Sequence, residues 1–243
     1  MRMPAIANPG RFLDLAERAT PWLWGATAVL LALGLYLSFF VAPPDYQQGD
    51  MVRVMFVHVP AAWLSLMIYG VMAVAALGTL VWRHPLADVT LKAAAPIGAA
   101  FTLLALITGS LWGKPTWGTY WVWDARLTSE LVLFLIYLGI IALSQAVEDP
   151  GRAARATAIL TLVGSVNLPI IKFSVDWWRW HTLHQPASVM RFGAPTMDTA
   201  YLWPLGIMAL GYTLFFVTLW LIRMRTEILE RRARTLMLAG SAR

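Results

Sequence analysis

Histidine is the side chain best suited to bind a metal or carry a proton near neutral pH, and this chain has four. His58 stands in "VRVMFVHVPAAW", His84 in "WRHPLAD", and His181 and His184 in "WWRWHTLHQPASVM". His58 falls inside an apolar run. An ionisable residue there is either a functional group or a neutral imidazole hydrogen-bonded to a neighbouring helix. Pro60 follows it and removes a backbone donor near the carbonyl of Phe56. His181 and His184 share a face if their segment is helical, and spacing alone does not choose between them. Both also suit a water-facing place at a membrane interface. His84, between Arg83 and Pro85, reads as a solvated loop residue.

The second concentration of chemistry is "WGKPTWGTYWVWDARLTSELVLF", which begins at Trp112. Trp112, Trp117, Trp121 and Trp123 crowd into a dozen residues with Tyr120, and Asp124 and Arg126 follow. A matching cluster stands at Trp177, Trp178 and Trp180. One reading is the aromatic belt found at both interfaces of membrane bundles. The other is a flat apolar platform for a large planar ligand or an interfacial segment. Asp124 directly precedes an apolar helix pattern and also suits an N-cap. Glu130, one turn in, either supports that helix start or pairs with Arg126 at i, i+4. Lys172 and Asp176 offer a similar pair.

The elements that must position these residues are membrane helices. The chain has 243 residues, 59% hydrophobic and 13% charged, with a mean hydropathy of +0.63. Soluble domains average about 45–50% apolar and about 25% charged. Six stretches approach the roughly 20 apolar residues that span a bilayer. They are Trp22–Ala42, Val54–Trp82, Ala93–Trp112, Leu127–Val147, Ala156–Val175 and Ala200–Ile222. Asn167, Pro169 and Lys172 interrupt the fifth. The expected fold is an all-α integral membrane bundle, one polytopic domain over residues 1–243. The first apolar run lacks an A-x-A exit and reads as a retained helix.

Six spans place both termini on one side. Thirteen of the nineteen Lys and Arg residues lie on that side, leaving Arg53, Lys114, Arg126, Lys172, Arg179 and Arg191 on the other. The positive-inside bias makes the termini cytoplasmic. The tail Arg223–Arg234 then suits anionic lipid headgroups better than nucleic acid. The same topology brings His58, His181, His184 and both tryptophan clusters to the outer face. The outer loops are expected at 112–126 and 176–199. Nine of the thirteen tryptophans lie toward that face, which is uneven for a simple belt. Two neutral imidazoles around an aromatic platform suit a metalloporphyrin, with Arg126, Lys114 or Arg179 to pair with its propionates. Zinc fits less well, because no third ligand stands at metal spacing. The absence of cysteine excludes disulfides, thiolate metal sites and covalent C-x-x-C-H haem. No G-x-x-x-x-G-K-[ST] loop is present, so the chain does not read as an ATPase subunit, and with no nucleophile–base motif either it is not expected to be an enzyme.

The segment from Trp112 to Phe134 resembles the tryptophan-rich "WWD" segment of haem-handling membrane proteins. With "VHVPAAW", "NLPIIKFSVDWW", "TLHQPAS" and the six-span plan, nearly the whole chain resembles the haem exporter protein C family (CcmC) of cytochrome c maturation. Tyr120 is a departure, since tryptophan is often found there. The resemblance implies that haem b (iron protoporphyrin IX) is held at the periplasmic face of the bacterial inner membrane, with His58 and His184 as its axial ligands. It implies that Trp112, Trp117, Tyr120, Trp121, Trp123, Asp124 and Arg126 form the haem-handling segment. The implied partners are the haem chaperone CcmE, the small single-span CcmD, and the ABC ATPase and permease subunits CcmA and CcmB. Three other functions compete with haem delivery, and the first, an intramembrane hydrolase or acyltransferase, has no nucleophile–base motif to support it. A membrane b-type cytochrome requires paired histidines within spans, and only His58 is clearly placed so. A haem or solute permease requires polar groups near the midplane, for which Asn167 is the lone candidate.

Overall fold

The computed structural model describes residues 8–178, 182, 184 and 197–241. Among these the chain is helical, and its sole extended pairing is the Asp45–Gly49 bridge. Seven α-helices make six segments long and apolar enough to cross a membrane. They are α1 (Pro9–Tyr36), α2 (Met55–Val81), α3 (Ala87–Trp117), α4 (Ala125–Ala146), the pair α5 (Pro150–Gly164) and α6 (Asn167–Trp177), and α7 (Thr199–Ser241). A π-helical turn, Leu37–Val41, prolongs α1, and a 3₁₀ turn, Asp50–Val54, leads into α2.

The helix starts follow capping chemistry. The Asn8 side chain accepts the Gly10 N–H at 2.8 Å with Pro9 in the first turn. Asp149 does the same for Arg152 N–H at 2.7 Å, ahead of α5. Each cap satisfies a backbone donor that no helical carbonyl can reach. These signals carry α1 well upstream of the expected Trp22. The third span also outruns its expected end at Trp112. It continues through Pro115 to Trp117 and stops where Gly118 turns left-handed at φ 80°. Trp112, Lys114 and Trp117 are therefore helical residues, not loop residues.

The fifth span is broken, as its polar interruptions suggested. Pro169 has no N–H and its ring crowds the carbonyl four residues back, at Ser165. That carbonyl accepts instead from the Leu168 N–H at 3.1 Å, and the chain kinks between α5 and α6. Asn167 donates its side-chain amide to the Ser129 carbonyl of α4 at 2.8 Å. Its amide is engaged in pairing α6 with α4.

Packing pairs α2 with α3 and α1 with α7, while α4 to α6 close the far side. In the core, the Tyr137 ring lies where a Cβ on Gly98 would sit, and its hydroxyl donates to the Ser65 carbonyl at 2.8 Å. Tyr69 stacks edge-on against Tyr137 and donates to the Thr161 carbonyl. At the end of the bundle carrying the termini, Glu227 accepts from Lys92 at 2.8 Å and from Arg231 at 2.7 Å. Arg231 also reaches Asp88 at 2.6 Å. Arg223 donates to the Ala93 carbonyl and Arg225 faces Glu17. Thus the tail is partly held by protein, and Arg223, Arg232 and Arg234 are exposed. With 43 residues, α7 is about 65 Å long, roughly twice the hydrocarbon core of a bilayer.

Candidate functional site

At the opposite end, α2, α3, the segment after it, the start of α4 and His184 enclose one cleft. His58 enters from the first turn of α2. Its Nδ1 lies 3.0 Å from the Ala105 carbonyl and 3.1 Å from the Thr108 hydroxyl, both on α3. A carbonyl can only accept, so Nδ1 carries the proton. The Thr108 hydroxyl gives its own proton to the Leu104 carbonyl at 2.6 Å and is free to accept as well. Nε2 is left with its lone pair and no protein partner among the described residues. Gly109 makes the room, since a Cβ there would lie 2.9 Å from the ring carbon Cε1. Trp112 stands edge-on to the imidazole, with ring centroids 5.8 Å apart. Its indole N–H donates to Gln48 at 2.8 Å.

His184 meets the cleft from the other wall. Its Nδ1 lies 3.4 Å from Asp124 Oδ2, and its ring tilts against Trp117 with centroids 5.7 Å apart. The carboxylate accepts, so this imidazole too holds its proton on Nδ1 and offers Nε2. A histidine whose distal N–H is tied to a carbonyl or carboxylate is the usual form of a metal-ligating imidazole.

Asp124 performs two tasks at once. Oδ1 accepts the Leu127 N–H at 2.7 Å and caps α4. Oδ2 accepts the Thr182 hydroxyl at 2.8 Å as well as His184. Its side chain is only 1% exposed. Burial works to raise this carboxyl, but the bonds from His184, Leu127 and Thr182 outweigh it and hold it below the ordinary carboxylate range.

The aromatic wall is built by Trp112, Trp117, Tyr120 and Trp121. Lys114 donates to the Gly118 carbonyl at 3.1 Å and lies over the Tyr120 ring. The Trp121 indole N–H is buried without a hydrogen-bond partner among the described residues. An orphaned donor on a cleft wall is costly unless a ligand supplies an acceptor. Trp123 is not on the wall. It is 77% exposed and packs edge-on against Trp121. Trp177 and Trp178 likewise stay outside, Trp177 tilted against Phe173 and edge-on to Trp178. His181, Trp180, Arg179 and Arg191 lie outside the described residues. His84 sits at the far end of the bundle, where its ring accepts the Leu86 N–H.

Arg126 lines the cleft, and its guanidinium makes no hydrogen bond or ion pair among the described residues. Glu130, Asp124 and Asp176 are the carboxylates that act on it. The expected Arg126–Glu130 and Lys172–Asp176 contacts do not close in this structure. Glu130 instead accepts the Ser65 hydroxyl at 2.7 Å. Sequence reading had no way to find Ala105, Thr108, Gly109, Gln48 or Thr182, which act only through tertiary contact. Among the described residues, no group of three or more His, Cys, Asp or Glu could hold a metal ion. The cleft encloses about 100 Å³ and, counted out to its mouth, about 800 Å³ of empty space.

Fold and site together define a polytopic helical membrane protein with an aromatic, two-imidazole cleft at one end. A family model described as "Heme exporter protein C" matches residues 2–239, and the chain belongs to that family. It is 65% identical to Heme exporter protein C of Bradyrhizobium diazoefficiens over 243 residues, covering 100% of this chain and 91% of that one. It is 50% identical to Heme exporter protein C of Escherichia coli over 224 residues, covering 92% and 89%. A putative cytochrome c biosynthesis ccmC-like mitochondrial protein of Marchantia polymorpha is 48% identical over 188 residues, covering 77% and 79%.

Proposed function

We propose that this chain is a haem-handling subunit of cytochrome c maturation. It holds haem b at the periplasmic face of the bacterial inner membrane and delivers it to the chaperone CcmE. CcmD and the ABC subunits CcmA and CcmB complete the assembly, and both termini lie in the cytoplasm. The family membership supports the role in haem export. One observation carries the site: two imidazoles, one from a helix and one from a loop segment, share a cleft, and neither Nε2 atom has a partner among the described residues.

Haem is cargo here. His58 and His184 bind its iron from opposite sides, their rings oriented by Ala105 and Asp124. The tryptophan wall covers the apolar macrocycle, and Arg126 is the cation for its carboxylates. The enclosed volume of about 100 Å³ is below the ~300–1,000 Å³ of sites that engulf drug-sized ligands. A planar cargo therefore keeps much of its surface outside or parts the walls, as a delivery site requires. Asp124 links His184 to the α4 cap, so the loop ligand is anchored through one carboxylate.

The test is the visible spectrum of the detergent-purified protein, co-expressed with the chaperone, beside His58→Ala, His184→Ala and His84→Ala. The Soret band weakens or shifts in the first two and not in the third. Wild-type spectra in both ligand variants would defeat the assignment.

A further inference from the structure

Glu130 is an acid in a membrane span that the haem-binding reading leaves without a task. An ionisable side chain in such a place needs a physical reason. It lines the cleft one helical turn from Arg126, on the same face of α4. One oxygen takes the Ser65 hydroxyl at 2.7 Å. The other has no partner among the described residues. Of the carboxylates that act on Arg126, Asp124 has both oxygens engaged, and Asp176 is exposed on α6. Glu130 alone has a spare oxygen inside the cleft.

We propose that Glu130 is the internal competitor for Arg126, and that it sets how tightly the site holds a cargo bearing carboxylates. Removing one member of a buried ion pair strands the other, which is strongly destabilising. If a cargo carboxylate were the sole partner of Arg126, each release would leave a lone cation in a largely apolar cleft. A carboxyl one turn away replaces the departing group and lowers that cost. It also weakens the bound state, because the cargo must displace it and tolerate its charge. Both effects favour hand-over instead of retention. The inference rests on the haem reading above and adds a residue that discriminates by cargo charge.

The experiment uses the full chain in detergent, loaded with haem or with haem dimethyl ester, whose carboxylates are masked. Dissociation into an excess haem scavenger is followed at the Soret band. Glu130→Gln keeps an acceptor for Ser65 and removes the charge. It is expected to slow haem dissociation about tenfold or more, the low end of couplings measured between close charge pairs. The ester leaves no more slowly than from wild type. Glu130→Asp retracts the acid and is expected to shift the haem-to-ester ratio in the same direction by a smaller factor. It serves as the test if the Gln variant does not accumulate. A wild-type ratio in either variant, or equal slowing of both ligands, overturns the role of Glu130 and leaves the haem site standing. Failure of wild type to bind either compound overturns both.

Discussion

Replacing Asp124 with asparagine separates the two tasks of that carboxylate. Asparagine caps a helix about as well as aspartate, so the bond from Leu127 N–H, 2.7 Å in wild type, is retained. The second oxygen becomes an amide donor. The Thr182 hydroxyl can turn to accept from it, but His184 Nδ1–H cannot face a donor. The imidazole must then turn away or move its proton to Nε2, and either change takes from the cleft the lone pair that the proposed function assigns to haem iron. Losing an orienting partner of a metal-bound histidine costs about 10–100-fold in affinity. The contact is long, 3.4 Å, which places the expected loss near tenfold. The lost charge-assisted bonds lower stability by about 1–2 kcal/mol, and Asp124→Ala adds about 1 kcal/mol for the cap. Haem titration followed at the Soret band, with thermal unfolding on the same samples, reads both quantities. Asp124→Asn with wild-type affinity and spectrum would refute the claim that this carboxylate sets the His184 tautomer.

Two further expectations follow from the same geometry. Gly109→Ala places a Cβ 2.9 Å from His58 Cε1, so the ring must shift. Haem affinity falls and thermal stability drops by about 1–3 kcal/mol, whereas Gly118→Ala, outside the cleft wall, perturbs stability through its left-handed φ and leaves the Soret position unchanged. The Asp124 carboxyl, held low by its donors, stabilises the fold above the ordinary carboxylate value of about 3.9. That contribution is lost as pH falls through its lowered folded value. Unfolding followed from pH 6 downward therefore shows a steeper acid arm in wild type than in Asp124→Asn, and parallel arms would contradict it.

Much of this protein is written locally. Membrane residence follows from composition, because a bilayer admits only segments that satisfy their own backbone groups. The six spans follow from runs of apolar residues, and the break at Ser165–Val166 follows from the missing N–H of Pro169. The Asp124 cap is legible for the same reason, as one side chain and a backbone donor three residues on. Helix ends were less legible. Capping by Asn8 and the left-handed Gly118 extended α1 and α3 beyond their apolar stretches, since helix limits depend on backbone bonding and not on hydropathy. The six-span topology brings His58 and His184 to one face, and both line the cleft, yet it treats all the clustered tryptophans alike. Only packing separated Trp112, Trp117 and Trp121 on the wall from Trp123, Trp177 and Trp178 outside it. The proton positions on both histidines, the space at Gly109 and the partner of Glu130 arise from contacts between residues more than forty positions apart. Sequence spacing carries no information about such contacts. Which nitrogen can meet a metal is decided by the group opposite the other nitrogen, and the fold alone brings that group into place.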